Sequence, residues 1–195
     1  QDPVINFLKT QSWVSSVIPY DGIIPEIDYY CFMISLAKIF DWNPNVNVHK
    51  FPYITITNEK IKRDEKKVRV GLVTTAPKEL SNYKQIVLPD DSLDNCFPVD
   101  RFEVMDLPSI QDFDDLIQAI NSCDLVISIE GIVPHIAGAL NIKTWLLLPS
   151  VPKHTWDLNF KTSSPWYPSI EVFRQKKYGD WGNVISEVKS RVNNV

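Results

Sequence analysis

The sequence predicts an α/β protein: a Rossmann-like parallel sheet flanked by helices, preceded by part of another lobe. Three observations carry this. Residues 125–129 and 144–148 are short apolar runs with β-branched members, the pattern of strands buried on both faces. Between them Ile132, Ile136, Ala139 and Leu140 recur at helical spacing, Pro134 suits a first turn and Asn141 suits the stop. Residues 68–74 form a third such run with Gly71 inside it. A strand-helix-strand unit of this length joins parallel neighbours through a right-handed crossover.

Taken in order, Asp2-Pro3 reads as a cap and first-turn proline for a short helix carrying Val4, Phe7 and Leu8. Residues 12–18 read as a strand, Asp21-Gly22 as a turn, and 28–40 as a helix apolar around most of its surface, hence packed on two sides. Residues 41–69 read as a connector: turn chemistry at Asn43-Pro44-Asn45, an extended stretch from Phe51 to Ile56, and a mixed-charge segment from Lys60. Interleaved acids make the basic run 60–63 a solvated linker rather than a ligand patch. The boundary falls here, with a partial amino-terminal lobe and connector over 1–58 and a sheet domain over 59–195. Residues 85–88 and 102–105 are weaker strand candidates, and Phe113, Leu116, Ile117 and Ile120 mark an amphipathic helix opened by Asp112. Asp112-Phe113-Asp114 matches a metal-binding D-x-D in form, but acids at a helix start favour the capping reading. After Pro149 the chain is rich in Pro and Trp, then offers a strand at 170–173 and a closing helix, capped by Asp180, with Trp181, Val184, Ile185, Val188 and Val192 on one face.

Twenty basic against 24 acidic residues give a net charge of -4, which argues against nucleic-acid binding through a phosphate-neutralising surface. Cys31, Cys96 and Cys123 are scattered and odd in number, so a reduced, cytoplasmic setting is expected. No apolar run is long enough for a membrane span. The chain opens at Gln1 without an initiator Met, as a piece of a longer protein would. His49 and His154 lack metal-ligand spacing, and neither a metal nor a cofactor is expected.

Chemistry is expected at the Glu130-Gly131-Ile132 corner. It lies at the carboxyl end of a strand and the amino end of a helix, where free amides and the positive end of the helix dipole suit an anion such as phosphate. Gly131 permits close approach, and His135 follows about one turn later. Thr74, Thr75 and Lys78, after the first strand, are candidates for the opposite wall, with an ordinary strand exit as the alternative.

The segments Asp124-Leu-Val-Ile-Ser128, His135-Ile-Ala-Gly-Ala-Leu140, Trp145-Leu-Leu-Leu-Pro149, Trp156, Ser164-Pro-Trp-Tyr-Pro-Ser169, Val172-Phe-Arg-Gln175 and Gly179-Asp-Trp181 occur in a set order. That ordered set resembles the carboxyl-terminal half of the tetratricopeptide-linked glycosyltransferases, relatives of the lipopolysaccharide heptosyltransferases. The likeness is dense over about 124–192 and fainter at Asp28–Leu36, Pro52-Tyr53 and Val70-Gly-Leu-Val73. It implies a GT-B architecture, a nucleoside diphosphate sugar held by the carboxyl-terminal domain, metal-independent transfer, and an acceptor, glycan or protein, left open. The family usually has Asp-Thr where this chain has Glu130-Gly131. The longer acid shifts its carboxylate by about 1.5 Å, a displacement that can reduce rate about a hundredfold. The family's Trp or Ser-Gly loop and later Arg-Ser are replaced by Thr74-Thr-Ala-Pro-Lys78 and Lys84-Gln85, and residues 1–40 supply only the end of an amino-terminal domain.

The expected substrate-binding set is therefore Thr74, Thr75, Lys84, Glu130, Gly131, Ile132, His135 and Trp156, with no catalytic residue assigned. Each has a plainer reading: a core histidine, a dipole-stabilising acid at Glu130, a solvated Lys84, a packing Trp156. The expected function is a glycosyltransferase-like domain, incomplete or degenerate alone. The alternatives are a non-catalytic nucleotide-sugar or protein-binding module and a sugar-nucleotide epimerase of shared architecture, for which no carboxylates stand out.

Overall fold

A computed structural model of the chain describes residues 3–41, 50–56, 66–76, 83–107, 112–156, 162–164 and 166–195. Five strands, Val68–Val73 (β1), Phe102–Asp106 (β2), Leu125–Ile129 (β3), Thr144–Leu148 (β4) and Ile170–Arg174 (β5), pair in parallel in the order β2-β1-β3-β4-β5. Every residue of β3 and β4 is buried, as central strands covered on both faces require, whereas β2 alternates because it lies at an edge. The helices are Pro3–Lys9 (α1), Met33–Ile39 (α2), Tyr83–Ile86 (α3), Phe113–Ser122 (α4), Ile132–Ala139 (α5) and Gly182–Val192 (α6).

Strand register shows which helix covers which face. Leu72, Ile127, Trp145 and Glu171 align across the sheet, and α6 lies on their side: Arg191 pairs with Glu171 and sits 4.9 Å over the Phe173 ring. Gly71, Val126 and Thr144 face the other way, where α4 ends. A Cβ at Gly71 would lie 2.9 Å from Cys123 Sγ, so the missing side chain lets this helix end approach the strand. On that face Leu146, Leu148, Ile170 and Val172 also pack around Trp156, with Tyr167 against them. Helices thus cover both sides, the arrangement that doubly wound sheets share.

Local chemistry fixes the element ends. Asp112 Oδ1 accepts from the amides of Asp114 and Asp115 at 2.9 and 3.0 Å and starts α4. Asn141 takes a left-handed φ of 61° just after α5, a conformation its short polar side chain tolerates. Asp180 Oδ1 accepts from Gly182 N–H as α6 begins. Asp124 holds β3 to β1 by accepting from the Arg69 amide at 2.9 Å, and the Arg69 guanidinium forks onto Glu103.

Three expectations fail. Residues 85–88 form no strand; the turn of helix α3 takes the start of this run instead. Residues 12–18 form no strand either, because the segment is tied down by side chains: Gln11 exchanges two hydrogen bonds with Thr55, and Trp13 Nε1 donates to the Tyr53 carbonyl at 3.0 Å. The helix expected over 28–40 contracts to α2, which starts without a side-chain cap, and Tyr29, Phe32, Met33, Ile39 and Phe40 stay exposed instead of packed on two sides. An aromatic-rich start loses rotamer freedom in a helix, and no described element covers it.

Helix α1 packs on α4 through Phe7 and Phe113, with ring centroids 5.8 Å apart, and the Tyr53 amide donates to the Ala139 carbonyl at 3.1 Å. The linker run 60–63, the turn at 43–45 and Lys78 lie outside the described residues. Among the described residues no helix is long and apolar enough to cross a membrane, and no three potential metal ligands cluster.

Candidate functional site: the β3–α5 corner

In a doubly wound sheet the chain leaves β1 to one side for β2 and returns to the other for β3, so a crevice opens beyond the carboxyl ends of β1 and β3. Thr74 and Thr75 leave β1 at this edge, and Glu130-Gly131 leave β3 beside them. Gly131 is the N-cap of α5 and supplies no side-chain cap; its φ of 164° is extended backbone open to any residue. A Cβ built there meets nothing within 4 Å. Gly131 and Ile132 are exposed, so the first amides of α5, which a helix leaves without internal partners, start at an open corner. Pro134 has no donor to offer, leaving the Ile132 and Val133 amides with the dipole behind them.

The Glu130 side chain turns inward. It is 6% exposed, and Oε1 accepts from the Lys153 amide at 2.7 Å, so the carboxylate fixes the loop after β4. Its Oε2 is buried with no hydrogen-bond partner among the described residues. Burial pushes the Glu130 pKa up, opposed by the Lys153 amide and by the charges of Lys153 and Arg174.

His135 is half-buried and stacks on Trp156 with centroids 4.7 Å apart and planes 20° from parallel. Its Nδ1 shares a 3.1 Å hydrogen bond with the Tyr167 hydroxyl. Burial, then the Lys153 charge, lowers its pKa, so near neutral pH the imidazole is uncharged and acts by hydrogen bonding, not as a cation. Trp156 is 1% exposed at the centre of a cluster on the α5 side of the sheet, with one face covered by His135; packing occupies the ring offered as a stacking surface.

The opposite wall differs in charge. The Thr74 carbonyl accepts from the Leu88 amide at 3.2 Å, and Thr74 lines a cavity of about 450 Å³ together with Asp90, Asp91 and Asp94. Three carboxylates repel a diphosphate, so an anion is favoured on the β3 side of the crevice and not in this cavity. Thr75 is exposed at the strand exit. Lys84 falls in α3, its side chain outside the described part.

The fold therefore brings Glu130, Gly131, Ile132, His135 and Trp156 into one neighbourhood, with Thr74 and Thr75 at the adjoining strand end. Sequence reasoning missed Lys153, whose amide holds Glu130, and Tyr167, which touches His135, Trp156, Phe51 and, through Gly138, the helix itself. Tyr167 lies in the Pro-bracketed Trp-Tyr pair, a local oddity that marks a rigid loop but not what it packs against. Comparison of the chain with protein-family models, with curated proteins and with solved structures returned no match.

Proposed function

We propose that this chain is the donor-binding part of a GT-B-type glycosyltransferase, holding a nucleoside diphosphate sugar for metal-independent transfer. The observation that carries the reading is the bare start of α5: an uncapped, exposed helix terminus at the switch point of a parallel sheet, with open space where a side chain would stand. The amides of Ile132 and Val133 and the dipole of α5 would take the diphosphate, stabilising the charge that gathers on it as the glycosidic bond breaks. His135, neutral and oriented by Trp156 and Tyr167, would add a hydrogen bond through a ring nitrogen without adding charge. The sequence resemblance supports the same donor. Calorimetric titration with UDP, ADP and GDP and their sugars tests it: one should bind in the micromolar to millimolar range, and a folded chain that binds none removes the reading.

A non-catalytic nucleotide-sugar-binding module is the second reading, and the Glu130 geometry favours it. The carboxylate nearest the corner is committed to the Lys153 amide instead of facing the crevice. Donor binding without hydrolysis or transfer, in a protein that also supplies the rest of the amino-terminal lobe, would select this reading over the first.

A further inference from the structure

Beyond the corner, four aromatic residues from three separate stretches, Trp13, Tyr53, Trp166 and Tyr167, line a cavity of about 380 Å³. Its rings are open to solvent: Trp13 is 59%, Tyr53 42% and Trp166 38% exposed. They are also held in place. Trp13 Nε1 donates to the Tyr53 carbonyl and Trp166 Nε1 to the Thr155 carbonyl, at 3.0 and 3.1 Å, so each indole spends its polar edge on backbone while the residue lines the cavity. Tyr167 is fixed by Gly138, by its hydrogen bond to His135 and by a hydrogen bond with the Tyr53 side chain. A cavity whose described walls are fixed aromatic rings, two of them tyrosines, has the composition of a small-ligand site.

We propose that this cavity is a carbohydrate subsite that takes one pyranose ring of a neutral glycan. The C–H bonds on a pyranose face carry slight positive charge and match the negative face of an aromatic ring, while hydroxyls around the sugar's rim meet the tyrosine hydroxyls and water. Among the described residues that line it none is charged, so neither an anionic nor a cationic ligand finds an ion partner in these four. Tyr167 belongs to both places, lining this cavity and bonding the histidine that follows the α5 corner. A sugar held here lies one aromatic residue from the donor site, as an acceptor would. The choice of a sugar over another neutral ring rests on the sugar-transfer reading.

The test is the set of indole N–H signals in NMR spectra of the chain, titrated with neutral tetrasaccharides of β-1,4-glucose, α-1,4-glucose, β-1,4-N-acetylglucosamine and β-1,4-mannose. At least one should shift the Trp13 and Trp166 signals saturably while those of buried Trp145 and Trp181 stay in place. Trp13→Ala and Trp166→Ala should each weaken that binding at least tenfold, and Trp13→Phe, which keeps a ring, should weaken it less. The proposal is overturned if no tetrasaccharide moves these signals, if the shifts persist in both alanine variants, or if tetramethylammonium moves them and the sugars do not. Nucleotide binding is read separately at the Gly131 and Ile132 amides, so loss of one claim leaves the other standing.

Discussion

Replacing Gly138 with alanine separates the packing argument from helix propensity, because the two predict opposite signs. In an exposed helix interior Gly→Ala stabilises by about 1 kcal/mol. At Gly138 the added Cβ would stand 2.4, 2.5 and 2.8 Å from Tyr167 Cγ, Cδ1 and Cβ, about 1 Å inside ordinary contact. Helix α5 cannot retreat, since its residues Val133, Ile136, Ala137 and Ala139 are buried in the core of the sheet. Tyr167 must therefore move, and it carries the hydrogen bond to His135 and ring contacts to Trp156 and Phe51. Overpacking of this kind costs about 1–3 kcal/mol and the lost hydrogen bond about 1 kcal/mol, which outweighs the propensity gain and leaves Gly138→Ala destabilised by about 1–3 kcal/mol. Urea unfolding should show a lower midpoint at unchanged slope. A variant as stable as the parent would mean that Tyr167 does not rest on α5, and the account of both the histidine and the aromatic cavity would fail with it.

The remaining predictions concern the corner and its supports. Gly131→Ala meets no atom within 4 Å, so its unfolding midpoint should match the parent's while UDP affinity falls roughly tenfold, about 1.4 kcal/mol, as the methyl fills the approach to the amides; equal affinity would mean that no ligand comes near Gly131. Glu130 has a raised folded-state pKa, so its contribution to stability is present below the ordinary carboxyl value of 4.5 and is lost as pH rises through the raised one. Glu130→Gln should thus gain on the parent, in chemical denaturation, as pH climbs above that value, and a pH-independent difference would contradict the burial argument. His135 titrates the other way: its lowered pKa means stability is fully present above 6.5 and is lost as pH falls below it, so His135→Gln should flatten that acid limb. Trp156→Ala removes a fully buried ring and should destabilise by about 3–5 kcal/mol, a loss that ligand stacking alone would not produce.

How far the chain could be read beforehand depended on whether the determinants were local. The β3–α5–β4 unit was legible because its signals sit side by side: two apolar runs too short for helices, a proline in the first turn and an asparagine at the left-handed stop. Asp112 announced α4 for the same reason, since a cap acts two and three residues away. The segment 12–18 misled because its Trp, Val and Ile residues are strand-forming types, yet a strand needs a free sheet edge, and here Trp13 bonds the Tyr53 carbonyl while the preceding Gln11 bonds Thr55. Residues 28–40 misled because an apolar helix reads as buried whether or not a neighbour exists to bury it. At the corner the open helix start was legible from order alone. The inward turn of Glu130 was not, because its partner is an amide 23 residues away, and neither was the cavity built from positions 13, 53, 166 and 167.

The most direct measurement is an amide NMR titration of the chain with UDP, ADP and GDP and their sugars. The account predicts saturable shifts at Gly131, Ile132 and Val133, lost at high salt as a charge-driven contact should be, and weakened in Gly131→Ala. Binding that leaves these three amides unmoved, or no binding by any of the nucleotides to a folded chain, would contradict it.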